Sequence, residues 1–402
     1  LSFLAPLSNP SFAALIGAIT LVELGAHIGN FALIWLAVDL IGEEAAYLQA
    51  LQNASVILGA AIGGHLLDHR DPRRVLTAAY LLRAGVGLAP LAAAWLLGSP
   101  LIGLVIAAIG LALAQSQAEP ALQASLTTLA QDPAQRRAAN ALVFASMRIA
   151  RLIGRGVPAL LILLVPVIHL FTLNAALIAS AAVLLAVLPH GPQPARAAAA
   201  PLRGAFAGAR YMWQDRELCV FLVTTAFSFA AWAIVVSLGP ALVIHGRHLT
   251  WLGLPPAACY SLALAVYGVG NVFGTGTQGL SPSVASVYAG QAAFGAGGIL
   301  LGLAGAFAND ALAMPLILVA IFICGVGAVG HDLRISNTIQ AAGPAGVVAA
   351  LARARMIAGW SSMCLANLLA PGIFELIEVA PTLCVAGGTM ILVSAWAWWK
   401  LR

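Results

Sequence analysis

The stretch RIARLIGRG, residues 148–156, sets three arginines inside an otherwise apolar segment. Arg148, Arg151 and Arg155 fall at i, i+3 and i+7, so on a helix they share one face, and that face must look at something other than lipid. A charge deep in a bilayer costs several kcal/mol and is found facing a bundle interior or an aqueous cavity. Arg83, about eight residues inside its own apolar segment, is the fourth such cation, deep enough to need a partner and shallow enough to snorkel. Acids at comparable depth are few: Glu23 near mid-depth and Glu119 near an inner helix end. Four arginines against two glutamates leave a surplus that chloride, water, Asp68 or an anionic substrate could balance, and the substrate is the economical answer. The competing reading pairs Arg83 and Arg148 with Glu119 and Asp68 as ties between helices.

Glu23 has a second possible use. Apolar surroundings disfavour its charged form and a nearby arginine favours it, so a changing cavity could make it take up and release a proton. His27, one turn later on the same face, and Asn30 extend this polar stripe. A static bridge between Glu23 and an arginine is the plainer alternative. Trp232, Tyr267 and Asn271 could add aromatic and polar contacts to a substrate, or simply pack. Glycines at 268, 270, 274 and 276 let helices approach closely, and their GVGNVFG setting lacks the strand context of a nucleotide loop.

Such side chains need spanning helices to carry them. The chain has 402 residues, 61% hydrophobic and 8% charged, where a soluble domain carries about 25% charged residues. Apolar stretches recur at the length of about 20 residues that crosses a hydrocarbon core. They predict twelve spans: 11–39, 47–67, 75–97, 101–129, 138–164, 167–189, 217–245, 255–279, 283–306, 311–331, 345–374 and 379–399. The first is too long, and followed by too many others, to be a removable signal; because the sequence opens on Leu1, a short leader is expected ahead of it.

With the amino terminus inside, 14 of the 19 basic residues fall in inner segments and only Arg247 in an outer loop, which sets the orientation with both termini cytoplasmic. Trp396, Trp398 and Trp399 beside Lys400 read as an interfacial anchor. A Pro-containing polar stretch, 190–217, divides the chain into an amino-terminal six-helix bundle (1–190), a cytoplasmic linker with a short amphipathic helix over 202–213 (191–216) and a carboxy-terminal six-helix bundle (217–402). Six plus six helices about a linker is the pattern of a two-bundle transporter. The five cysteines show none of the close pairs of a metal or redox site, the positive balance is explained by topology rather than nucleic acid, and no Walker loop is present.

The loop GGHLLDHRDPRRVL, 63–76, resembles the signature loop of the major facilitator superfamily. YLLRAG from Tyr80, EPALQASLTTLAQDPAQRRAANAL from Glu119 and FTLNAAL from Phe171 are similar to the branch that contains the enterobactin exporter, and LGLPPAACYSLALAVYGVGNVFG extends the likeness into the second half. The resemblance implies an all-α membrane protein, twelve transmembrane helices in two bundles, acting as an antiporter without cofactor or metal. It also implies a cytoplasmic latch of Asp68, Arg70, Arg73 and Arg74, with Gly64 allowing close helix approach. His69 and Pro72 depart from the family's basic pattern, and the matching loop of the second half, around Gly279, carries no charge. His331, Asp332 and Arg334 could join the latch.

The expected function is therefore proton-coupled export of a medium-sized organic anion or siderophore-like solute from a bacterial-type inner membrane, by a monomer whose partners are the solute, protons and the bilayer. A proton-coupled exporter of hydrophobic or cationic compounds centred on Glu23 is the alternative within the class. A membrane-embedded enzyme or assembly factor is the alternative outside it; no convergent set of nucleophile, base or metal ligands supports that reading.

Overall fold

A computed structural model describes residues 9–67, 71–129, 133–186, 207–278, 282–341 and 345–402. Among these residues the secondary structure is helical, with one isolated bridge between Trp251 and Leu254. The first half holds α1 (Pro10–Ile41), α2 (Ala45–Leu67), α3 (Pro72–Gly87), α4 (Ala89–Leu97), α5 (Leu101–Leu129), α6 (Pro133–Leu161) and α7 (Leu170–Ala186). The second holds α8 (Ala207–Gln214), α9 (Arg216–Trp232), α10 (Gly239–Gly246), α11 (Pro256–Gln278), α12 (Val284–Phe307), α13 (Asp310–Ala341), α14 (Ala345–Ile377) and α15 (Val379–Leu401). A π-helical stretch, Ala233–Leu238, joins α9 to α10.

Local chemistry explains several of these boundaries. Asp71 caps α3, accepting from the Arg73 N–H at 3.0 Å, with Pro72 opening the helix. Asp215 caps α9 through the Leu218 N–H at 2.9 Å, and Ser283 caps α12 through Ser286 N–H at 3.1 Å. Each side-chain acceptor satisfies a backbone donor that the first helical turn leaves without a partner. The third expected span is broken at Leu88 into α3 and α4. Pro90 lies just beyond the break, and a proline lacks the N–H and crowds the carbonyl four residues back.

This is an all-α membrane protein of the two-bundle, twelve-span type, and over the described residues every expected span coincides with a helix or a broken pair. Ten described stretches are long and apolar enough to cross a bilayer, the first of them, Pro10–Ala60, containing α1 and the first part of α2. The helix α6 differs from these in its charge. It is long enough at 29 residues but carries Arg136, Arg137, Arg148, Arg151 and Arg155. Of the linker expected at 191–216, residues 191–206 lie outside the described residues. Of the amphipathic helix within it, α8 is described: Met212 is fully buried while Arg210, Tyr211 and Trp213 are exposed.

The chain divides into two compact units, Leu1–Leu40 with Leu51–Arg196, and Ile41–Ala50 with Ala197–Arg402. The first unit has a core built from α1, α3, α5, α6 and α7, including Leu15, Ile19, Leu76, Tyr80 and Ile178. In the second, α8, α9, α12, α13, α14 and α15 share a core around Phe221, Ile335 and Leu351. Close packing there rests on glycine. A Cβ at Gly270 would stand 2.5 Å from the Phe322 carbonyl oxygen, and one at Gly274 2.5 Å from that of Val326, so α11 lies directly on α13 as the glycine run predicts. Gly276 meets nothing and takes no part. At the end of α15, Lys400 Nζ lies 4.9 Å from the Trp399 ring centre and Arg402 4.8 Å from that of Trp398, a pairing suited to a membrane interface.

Candidate functional site

In the first unit the charged groups of α1 and α6 converge. Arg151 donates from Nε to Glu23 Oε2 at 2.9 Å, and His27 Nε2 stands 3.6 Å from the same oxygen. The two helices can meet here because residue 154 is glycine. A Cβ on it would fall 2.8 Å from the Leu24 carbonyl oxygen and 2.9 Å from His27 Cβ, so α6 rests on α1 within one turn of Arg151. The side chains of Glu23 and His27 are largely covered, at 21% and 22% exposure, whereas Arg151 is 45% exposed. Arg155 is half-buried and within the electrostatic reach of His27. Arg83, 6% exposed on α3, interacts electrostatically with Tyr80 and Glu23, and its Nε is buried without a hydrogen-bond partner.

Glu23 is thus the centre of a positively charged surround, and one of the four arginines expected to be in surplus is matched by it. Arg151 is already matched by a carboxylate rather than waiting for an anion. Arg148 lies exposed on α6 instead of buried at mid-depth, because the stripe faces out of the first unit's core. Asn30 sits half-buried beyond His27 and adds no contact to the pair. A proton on Glu23 would remove the negative charge that attracts Arg151.

The second unit contains a cavity of about 260 Å³, lined from α9, α11, α12, α13, α14 and α15. Its walls are largely aromatic and sulfur-bearing, with Trp232, Trp360, Phe229, Phe294, Met363 and Met390. Gly359 leaves room for Phe229: a Cβ there would reach 2.8 Å from the ring. Trp232 donates from Nε1 to the Tyr267 hydroxyl at 3.0 Å, and Gln291 donates from Nε2 to Ser228 Oγ at 2.7 Å. His331 lines the cavity at 2% exposure, its Nε2 3.0 Å from Thr224 Oγ1 and its ring edge-on to Phe221. Beside it, Asp332 pairs with Arg355, which also donates to Ser336 Oγ at 3.2 Å.

Two of the three residues expected from the second half, Trp232 and Tyr267, line this cavity and bond to each other. Asn271, one turn further along α11, is not part of the lining. His331 and Asp332, grouped by sequence with the inner latch, belong to the cavity wall. Sequence reasoning missed Ser228, Gln291, Trp360 and Met363. Gln291 carried a usable signal, as the one amide within the small-residue run YAGQAAFGAGG.

The latch expected after α2 is only partly in view. Gly64 lies within α2; Asp68 and Arg70 are outside the described residues, as is the side chain of Glu119. Arg74 is exposed, and Arg73 is engaged by more than its capping contact. Arg334 is engaged inside the second unit, where it donates to Glu217 Oε1 at 2.9 Å and to the Pro282 carbonyl at 3.1 Å. At the opposite end, Arg247 donates to the carbonyls of Ala304, Gly305 and Ala308 and to Asp310 Oδ1, at 2.8 to 3.3 Å. It collects the carbonyls left over at the carboxy terminus of α12, where a cation is favoured.

The model of the Major Facilitator Superfamily matches residues 11–371. No curated protein matches the sequence. Among solved structures, the nucleoside transporter NupG is similar with a TM-score of 0.73 at 12% identity, over 98% of this chain and 99% of that one. The POT family transporter PepTSo gives 0.74 at 12% identity, over 98% and 97%. A bacterial metal transporter gives 0.66 at 13% identity, over 96% and 98%.

Proposed function

Because the chain belongs to the Major Facilitator Superfamily, and is a multi-pass transporter of small molecules rather than an enzyme, we propose that it works as a proton-coupled secondary exporter. It would act from a bacterial-type inner membrane by rocking its six-helix bundles, 1–190 against 217–402, around bound cargo. The observation that carries this reading is the 2.9 Å bond from Arg151 to Glu23, with His27 at 3.6 Å. A proton arriving on Glu23 removes the negative charge that holds Arg151 and frees α6 from α1. When the proton leaves, the ion pair closes again. Outward direction is supported by the likeness of the amino-terminal stretches to exporters, and cytoplasmic termini by the basic inner segments.

For the cargo, the cavity of the second unit favours a medium-sized solute that is largely apolar and aromatic, which is nearer to the alternative of hydrophobic or cationic compounds, although that alternative centres on Glu23. Its lining holds five aromatic side chains besides His331, and no arginine or lysine. The organic-anion or siderophore-like reading keeps one specific support, the shared face of Arg148, Arg151 and Arg155 on α6.

Reconstitution in liposomes tests the coupling. Flux of a transported aromatic solute should rise with an imposed pH gradient. Glu23→Gln should abolish that response while solute counterflow without a gradient persists. Wild-type flux indifferent to the gradient would overturn proton coupling. Loss of flux in both Arg148→Ala and Arg155→Ala, with unaltered aromatic binding, would return the cargo to the anionic class.

A further inference from the structure

The polar groups of the cavity are not equally satisfied. Gln291 is 3% exposed; its Nε2 is committed to Ser228, and its Oε1 is buried with no hydrogen-bond partner. An amide oxygen left in this condition costs free energy until a donor arrives. Asp332 adds a second acceptor. Its side chain is 60% exposed and paired with Arg355; Arg355 and His331 both approach it at Oδ1, which leaves the more open Oδ2 for another donor. Around these two acceptors stand the rings of Trp232, Trp360, Phe229 and Phe294, whose faces attract cations as well as apolar surface.

We infer that this cavity is a binding site for an aromatic solute bearing an amine or ammonium group, whose N–H is received by Gln291 Oε1 and Asp332 while the rings enclose its hydrocarbon part. This assignment rests on the reading of the cavity as the cargo site, and it narrows the cargo from apolar compounds in general to those that donate a hydrogen bond. A carboxylate would bring two further acceptors and no donor for Gln291 Oε1. A neutral ether would fill the same volume and leave Gln291 unsatisfied. His331, held by Thr224, forms part of the same wall.

Three probes of similar shape separate these cases by calorimetry on the purified full-length protein in detergent: 4-phenylbutylamine, 4-phenylbutyrate and the methyl ether of 4-phenylbutanol. The amine should bind about tenfold more tightly than either of the others, the factor expected for one hydrogen bond to a buried acceptor. Gln291→Leu should erase most of that preference and keep ether binding; should it not fold, Asp332→Asn is expected to reduce the preference in the same direction. Trp232→Ala should weaken all three probes, showing that they occupy this cavity. Equal affinities, or tighter binding of the carboxylate, would overturn the inference, as would an amine preference that survives both acceptor substitutions. Amine-selective binding without any flux in liposomes would instead sink the transport reading and leave the site standing.

Discussion

Gly154 decides whether Arg151 can reach Glu23. A side chain there would collide with the Leu24 carbonyl and His27, so Gly154→Leu should part α6 from α1 and remove the gradient response even though all the charged groups remain. Solute flux with and without a pH gradient would check this; a normal response would show that the pair is not part of coupling. The ion pair itself is half open on the Arg151 side, so its stabilising worth is modest, about 1 kcal/mol or less where water screens it. A double-mutant cycle on Glu23→Gln and Arg151→Gln should return a coupling of that size, and a much larger value would mean that the opening is dry. Arg247 is different, with three carbonyls and a carboxylate on one guanidinium at 26% side-chain exposure. Arg247→Ala should lower the stability of the second unit by about 2 kcal/mol, read as a lower thermal midpoint, within the range seen when bonds to a charged group are lost. At this scale the sequence was informative about who carries charge and admitted a bridge between Glu23 and an arginine, without saying which arginine. The i, i+4 spacing of Glu23 and His27 and the arginine stripe are visible in a string of letters. That Glu23 is used by Arg151 depends on Gly154, a residue with no chemistry of its own.

Along single elements, breaks were harder to read than helices. The seventh expected span, 217–245, looks continuous, yet α9 passes into a π-helical stretch before α10. The physical reason lies in Pro240, which crowds the carbonyl four residues earlier, at Val236. A wider i→i+5 turn absorbs that conflict by holding one extra residue, and it begins directly after Trp232. Deleting one residue from Ala233–Leu238 should restore ordinary α-helical spacing and turn Trp232 by about 100° relative to α10. The expected result is a protein that still elutes as a folded species but has lost the Trp232–Tyr267 bond and its aromatic ligand binding, measurable by size-exclusion and calorimetry together. Retained binding would mean that the π turn has no bearing on the cavity. The cavity was itself illegible in the sequence, since six helices contribute to it and each supplies only a few residues, spaced like any packing residues.

The whole molecule follows from hydropathy and helix count, which is why its class was plain from composition. What composition hid is the exception. Among the described helices, α6 has the length of a membrane span but carries five arginines in its sequence. During biogenesis such a segment cannot partition into lipid on its own merits, since each central arginine opposes insertion by about 2.5–3.5 kcal/mol. A synthetic peptide of residues 133–161 should therefore lie flat on vesicles, by oriented circular dichroism, and stand upright only when a peptide of residues 10–41 is supplied with it. A transverse orientation of the lone peptide would count against this dependence. The early-made helix would then act as escort for the later one, Glu23 offering the anion that lets an arginine-bearing segment leave the translocon sideways, so that the order of synthesis becomes a condition of the fold.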